Sequence, residues 1–174
     1  MKLKVLKKQN NSADCIICGT KNDASLNAGF YEVEGEYIVT KFVPRYQHQS
    51  YPNRMHGGMI SAVLDETIGR AIMIKDPNQW GVTSELIVKF RKPVPLNQTL
   101  YCVGKVIKEG TRTFVGSGFI EDQNGTLLAH GEATYVKLPL DKIAEGDNLG
   151  WVNIKDNQIE FDIKNLNFFE NIKY

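Results

Sequence analysis

A chain of 174 residues with 42% apolar side chains can bury one sizeable core, and nothing in its length calls for a second domain. Its formal net charge is +1 with acids and bases interspersed, which removes the electrostatic case for a nucleic-acid partner. No run approaches the roughly 18 consecutive apolar residues of a membrane span, so no membrane association is expected.

The opening stretch, Met1 to Lys8, is basic but leads into no apolar segment or small-residue cleavage site. Residues 1–12 therefore read as a tail, and the cytoplasm is the expected compartment. Cys15-Ile16-Ile17-Cys18-Gly19 follows. A Cys-x-x-Cys pair can be redox-active or half of a zinc site. Only Cys102 remains as a third thiol, and no βαβ pattern follows, so the pair reads as a small structural turn with no metal expected.

Residues 28–43 are rich in strand-forming side chains with a turn near Glu34-Gly35, and predict a hairpin or a bent long strand. Residues 44–54 show no period and lead into the most informative stretch of the chain. From Met59 to Ile74 apolar residues fall on every side, which predicts a buried helix. Pro77 stops it. Four strand-like runs follow, near 82–90, 99–108, 113–121 and 126–138, the last two joined by Asp122-Gln123-Asn124-Gly125, a hairpin signal. One helix and a set of antiparallel strands predict an α+β layer pair over residues 1–138. Residues 139–174 carry Trp151, Phe161, Phe168 and Phe169, too aromatic for a disordered tail, and read as an extension packed on the same domain or at an interface.

Chemistry concentrates around the helix. Gly57 and Gly58 precede the apolar period, so their N–H groups fall among the unsatisfied donors of the first turn. Such donors suit a carbonyl oxygen that becomes negative during attack, although a Gly-Gly pair is also an ordinary entry turn. Asp65 and Glu66 set two acids into the greasy helix. Asp65 shares a face with Ser61 and Gly69, so it is either an acid with open space beside it or an Asp satisfied by Ser61. Glu66 has Arg70 one turn on, the spacing of an ordinary helix ion pair. Asp65 lies about 12 Å from Gly57 at ~1.5 Å per residue, too far to act on a group held there. Cooperation between the two requires a second, antiparallel copy, and hence a homo-oligomer, dimer or tetramer.

His56-Gly57-Gly58, six residues, Asp65, then Gly81-Val82-Thr83 and a strand resemble the hotdog-fold acyl-CoA thioesterases of the phenylacetate-pathway type. The resemblance covers roughly residues 13–138. It implies a hotdog fold, an antiparallel sheet wrapped around a long central helix, and hydrolysis of an acyl-CoA thioester without a cofactor. It assigns the Gly57 N–H to the thioester carbonyl and makes Asp65 base or nucleophile from the facing subunit. His56 shapes the loop, Thr83 holds water or substrate, and Asn53 occupies a polar position that is off register. Glu66 is the reserve acid. Arg54, Met59, Arg91 and Lys92 are candidate substrate contacts, the cations for coenzyme A phosphates. A hotdog hydratase or dehydratase and a non-catalytic acyl-CoA binder are the alternatives.

Overall fold

The structure is a computed structural model that describes residues 1–144 and 150–172. The strands are β1 (Lys2–Lys8), β2 (Asn11–Ser12), β3 (Gly29–Val33), β4 (Tyr37–Phe42), β5 (Trp80–Phe90), β6 (Leu100–Glu109), β7 (Thr113–Asp122), β8 (Leu127–Leu138), β9 (Trp151–Val152) and β10 (Glu160–Asp162). Eight of them form one sheet in the order β10-β1-β3-β4-β6-β7-β8-β5, and β2 pairs with β9 apart from it. Every pairing is antiparallel. The helix α1 (Gly57–Arg70) lies against the concave face and runs on into a 3-10 turn at Ala71–Ile74.

The seat of the helix is set by glycines. A Cβ on Gly116 would lie 2.4 Å from Ile68 Cγ2, one on Gly118 2.9 Å from Ile68 Cγ1, and one on Gly104 3.0 Å from the Thr67 carbonyl oxygen. Strands β6 and β7 are thus bare where Ile68 meets them, and the helix backbone approaches the sheet closely. Thr67 bridges the layers, its hydroxyl 2.8 Å from that of Thr40 on β4. Ile60, Val63, Leu64 and Ile68 from the helix pack with Phe30, Ile38, Leu100 and Cys102 from the sheet in one core.

A second core covers the opposite face of the sheet. Tyr31, Val39, Val103 and Phe119 point outward and are buried by Phe161, Ile163, Phe168 and Phe169 of the C-terminal segment. Its anchor is Glu121, fully buried at the end of β7. That carboxylate accepts from Lys164 N–H at 2.8 Å, Asn165 N–H at 3.0 Å and Asn165 Nδ2 at 2.6 Å.

One expectation changes. Residues 1–12, read as a tail, hold β1, an interior strand between β3 and β10. The lysines misled the reading: their side chains reach solvent and acids such as Glu160 and Asp156, while Leu3 between them is fully buried. The extension at 139–174 packs on the same domain as expected, and its alternating stretch around Phe161 forms β10 in the main sheet; residues 145–149 and 173–174 lie outside the described residues. The hairpin at 28–43 turns through Gly35 (φ 84°) and Glu36 (φ 60°), and that at 122–125 through Gly125 (φ 82°), as the turn residues require.

Candidate active site

Loop 43–56 delivers the chain to the helix. His48 is buried and ties the loop down: its Nδ1 accepts from Arg45 N–H at 2.8 Å and its Nε2 lies 2.9 Å from the Ala24 carbonyl. Burial lowers the pKa of His48 below the usual histidine value. His56 is the N-cap, extended at φ −65° and ψ 137°, and its Nδ1 accepts the Gly58 N–H at 2.9 Å. A Cβ on Gly58 would lie 3.0 Å from that nitrogen, so glycine gives the capping ring its place. The Gly57 N–H has no acceptor among the described residues, and the only side chain near a Cβ built there is the Phe90 ring, at 3.6 Å. An unsatisfied helix-start donor faces open space.

Two turns further on, Asp65 is half-buried and held from the sheet. Its Oδ1 accepts from Thr83 Oγ1 at 2.7 Å and from the Tyr135 hydroxyl at 3.2 Å. The same hydroxyl is 2.8 Å from the Asp65 backbone carbonyl. Thr83 and Tyr135 are direct partners across the β5–β8 ladder, so one rung supplies both donors. Burial and the neighbouring carboxylate raise the Tyr135 pKa far above the usual phenol range, which keeps its hydroxyl a donor. Its ring stacks on Phe114 at 4.7 Å, and a Cβ on Gly81 would lie 2.6 Å from Phe114, so Gly81 leaves room for the stack. With both donors on Oδ1, the second oxygen of Asp65 has no partner among the described residues.

Ser61 does not satisfy Asp65. Its hydroxyl donates to the Gly57 carbonyl at 3.0 Å, back along the helix. Gly69 keeps the space beside the carboxylate open: it lines the cavity that Asp65 faces, and a Cβ there would lie 3.0 Å from the Tyr135 ring. Glu66 pairs with Arg70 through Nε at 3.0 Å and Nη2 at 2.9 Å, and its other oxygen accepts from Cys15 Sγ at 3.3 Å.

The residues fall into two cavities. One, of about 370 Å³, is lined by Asp65, Glu66, Thr83 and Tyr135 together with Ile16 and Trp80. The other, of about 550 Å³, is lined by Gly57, Arg54, Arg91, Lys92, Tyr51 and Phe90. Among the described residues Arg54, Arg91 and Lys92 form no ion pair. A single chain therefore does not bring Gly57 to Asp65. Met59 packs against the core and lines neither cavity. Asn53 is exposed in the left-handed region (φ 59°), its N–H bonded to Gln49 Oε1 at 2.7 Å, and it also lines neither. Tyr135 was missed by sequence reasoning; a tyrosine in an alternating strand gives no sign of which strand lies opposite it.

Strand β5 forms one edge of the main sheet, eleven residues long, with Val82, Ile87 and Phe90 exposed. A curved antiparallel sheet around one central helix, with an acid on that helix oriented from the sheet, defines the class as the hotdog fold. The family model described as Thioesterase superfamily matches residues 53–129, the stretch that runs from the loop through α1 to β8. The acyl-coenzyme A thioesterase THEM4 of Rattus norvegicus is 29% identical over 116 residues, 66% of this chain and 49% of that protein, so this chain spans about half its length. Among solved structures, the thioesterase superfamily protein RHA08564 superposes with a TM-score of 0.64 at 23% identity, covering 71% of this chain and 60% of that one. The BH2602 protein of Bacillus halodurans, solved with CoA, superposes with a TM-score of 0.53 at 25% identity, covering 57% of this chain and 66% of that one.

Proposed function

We propose that this chain hydrolyses an acyl-CoA thioester at a site completed by a second copy of itself. The observation that carries the reading is the split arrangement: Asp65, oriented by Thr83 and Tyr135, opens into one cavity, and the Gly57 N–H opens into another with three cations. Among the described residues the N–H has no acceptor and the cations have no acid partner, Arg54 donating instead to the Asn53 carbonyl. Pairing of β5 with its copy across a two-fold axis extends the sheet and sets the two helices antiparallel, which aligns each Gly57 with the partner's Asp65. The thioester carbonyl oxygen then accepts the Gly57 N–H, where helix-start donors stabilise the developing oxyanion. The phosphates of coenzyme A meet Arg54, Arg91 and Lys92.

Asp65 acts through Oδ2, the oxygen left free. As general base it takes a proton from water as the water adds to the carbonyl; the tetrahedral intermediate collapses, and the leaving thiolate recovers that proton. As nucleophile it forms an acyl anhydride and expels the thiolate before water enters. The chain's own residues supply both routes, and no metal or other cofactor is assigned. His56 shapes the helix start and Glu66 is the reserve acid. Assignment to the phenylacetate-pathway type rests on the His56-Gly57-Gly58 and Asp65 spacing and awaits the substrate profile.

The test is release of free acid from short, long and aromatic acyl-CoAs, compared between wild type and Asp65→Asn. Loss of turnover by about 10³-fold or more, with folding and oligomer intact, is expected. Binding without turnover on every thioester would replace hydrolysis with acyl-CoA binding. Undiminished turnover in Asp65→Asn would move the chemistry to Glu66.

A further inference from the structure

Beside the Asp65 cavity lies a cluster that hydrolysis does not use. The Cys15 and Cys18 sulfurs and a Glu66 carboxylate oxygen all lie within 4.8 Å of one another. The segment is a closed turn: Gly19 N–H donates to the Cys15 carbonyl at 2.8 Å, and a Cβ on Gly19 would lie 2.3 Å from that oxygen. The turn aims donors at sulfur. Ile17 N–H and Cys18 N–H point to Cys15 Sγ at 3.3 and 3.5 Å. Ser12 N–H and Arg70 Nη2 reach Cys18 Sγ at 3.3 and 3.5 Å. Cys15 is partly exposed and Cys18 fully buried.

We propose that Cys15 and Cys18 form a reversible dithiol–disulfide couple, a modification site for low-molecular-weight disulfides that reports to the Asp65 cavity. Cys15 is the attacking thiol, since it is the accessible one and donors on its sulfur favour the thiolate. The hydrogen bond from Cys18 lowers the Cys15 pKa against burial and the Glu66 carboxylate, which raise it, and giving that bond, with burial, raises the pKa of Cys18, an asymmetry suited to attacking and resolving roles. The Cys15 thiolate attacks one sulfur of a small disulfide, whose S–S bond breaks, and the departing thiolate takes the proton Cys15 gave up. Cys18 then attacks Cys15 Sγ in the mixed disulfide and expels the second thiol, which carries off the Cys18 proton. Two S–H bonds and one S–S bond become one S–S bond and two S–H bonds.

A divalent metal fits the cluster less well. Arg70 already supplies its cation, 2.9 Å from Glu66 Oε1 and 3.5 Å from Cys18 Sγ. Among the described residues three ligand groups gather, one short of a closed tetrahedral site. Oxidation removes the Cys15 S–H donor from Glu66 and draws Cys18 from Arg70. Ile16, Ile17, Glu66 and Arg70 all line the Asp65 cavity, so the change reaches its wall. That coupling to turnover rests on the thioesterase reading; the couple itself does not.

Intact mass after incubation with oxidised glutathione tests the couple without any activity assay. Wild type should lose two hydrogens and keep no adduct, with peptide mapping joining Cys15 to Cys18. Cys18→Ser should trap one glutathionyl group on Cys15, and Cys15→Ser should trap none. Cys102, fully buried with its thiol pushed up to about 12 by burial, serves as the inert internal control. Wild type left reduced, equal adducts on both single variants, or a stoichiometric zinc ion in the purified protein would each overturn the couple. For the coupling, the expected result is a several-fold change in acyl-CoA KM on oxidation, reversed by dithiothreitol and absent in Cys15→Ser. An unchanged KM in the disulfide form would overturn the link to the cavity.

Discussion

At the scale of single residues, the site is governed by which oxygen of Asp65 is occupied. Thr83 and Tyr135 both engage Oδ1, so neither is assigned to proton transfer; they aim the carboxylate. Tyr135→Phe removes one donor to Oδ1 and the hydroxyl contact to the Asp65 backbone carbonyl, while the ring still stacks on Phe114. Loss of about 1–2 kcal/mol of positioning should lower kcat about tenfold with little change in KM. Steady-state kinetics with circular dichroism as the fold control check this, and an unchanged kcat would remove Tyr135 from the site. His48 makes a prediction about pH. Its folded pKa is depressed, so below about pH 6.5 the unfolded chain binds more protons and stability falls as pH falls. Thermal melts from pH 7.5 to 5 should show this decline, and His48→Gln should flatten it. Among the candidate residues, Asp65 and Gly57 stood out from type and spacing, and Thr83 from the family resemblance. Helix periodicity placed Ser61 and Gly69 on the face of Asp65 and said nothing about what lies across from it, the Tyr135 ring against Gly69.

At the scale of elements, α1 and β5 determine what one chain can do alone. The helix carries Gly57 and Asp65 about 12 Å apart, a consequence of its rise per residue that no side-chain rearrangement removes. The β5 edge is long and apolar, a template for strand pairing that monomeric proteins blunt with charge. Ile87→Lys places a cation on this edge, where Ile87 is 52% exposed and its loss leaves the core intact. The expected outcome by analytical ultracentrifugation is a folded monomer in place of a dimer, and turnover should vanish along with the dimer. A fully active Ile87→Lys monomer would end the shared-site reading.

At the scale of the whole molecule, the sheet is a middle layer. The helix covers one face, and the C-terminal segment covers the other over β1, β3, β4, β6 and β7, while β5 keeps exposed side chains. Glu121 joins that segment to the end of β7, an interior strand, by accepting three hydrogen bonds with no solvent access. Glu121→Ala strands all three donors and should cost about 3 kcal/mol, read as a fall in the urea midpoint. Increased amide exchange should appear first across 160–170 and β1, which pairs with β10. A small loss spread evenly over the chain would show that Glu121 is not the anchor.

Local patterns were sufficient for the central helix, for the four strands after it and for the choice of Asp65 as candidate acid. A long run of apolar residues on every side makes a buried helix, and strand-like runs joined at Asn-Gly make hairpins. An acid at a fixed helical offset from a glycine pair keeps its distance in any tertiary setting. The long-range arrangement was decided by the packed structure alone. The basic N-terminus became an interior strand because Leu3 and Val5 meet Phe161 and its neighbours, more than 150 residues away. Glycines 104, 116 and 118 became the seat of the helix because Ile68 fits where a Cβ would have stood. Tyr135 became the partner of Asp65 because β8 pairs with β5 in one register. Each depends on contacts between residues far apart in the chain, and such contacts leave no periodic trace in either partner's local sequence.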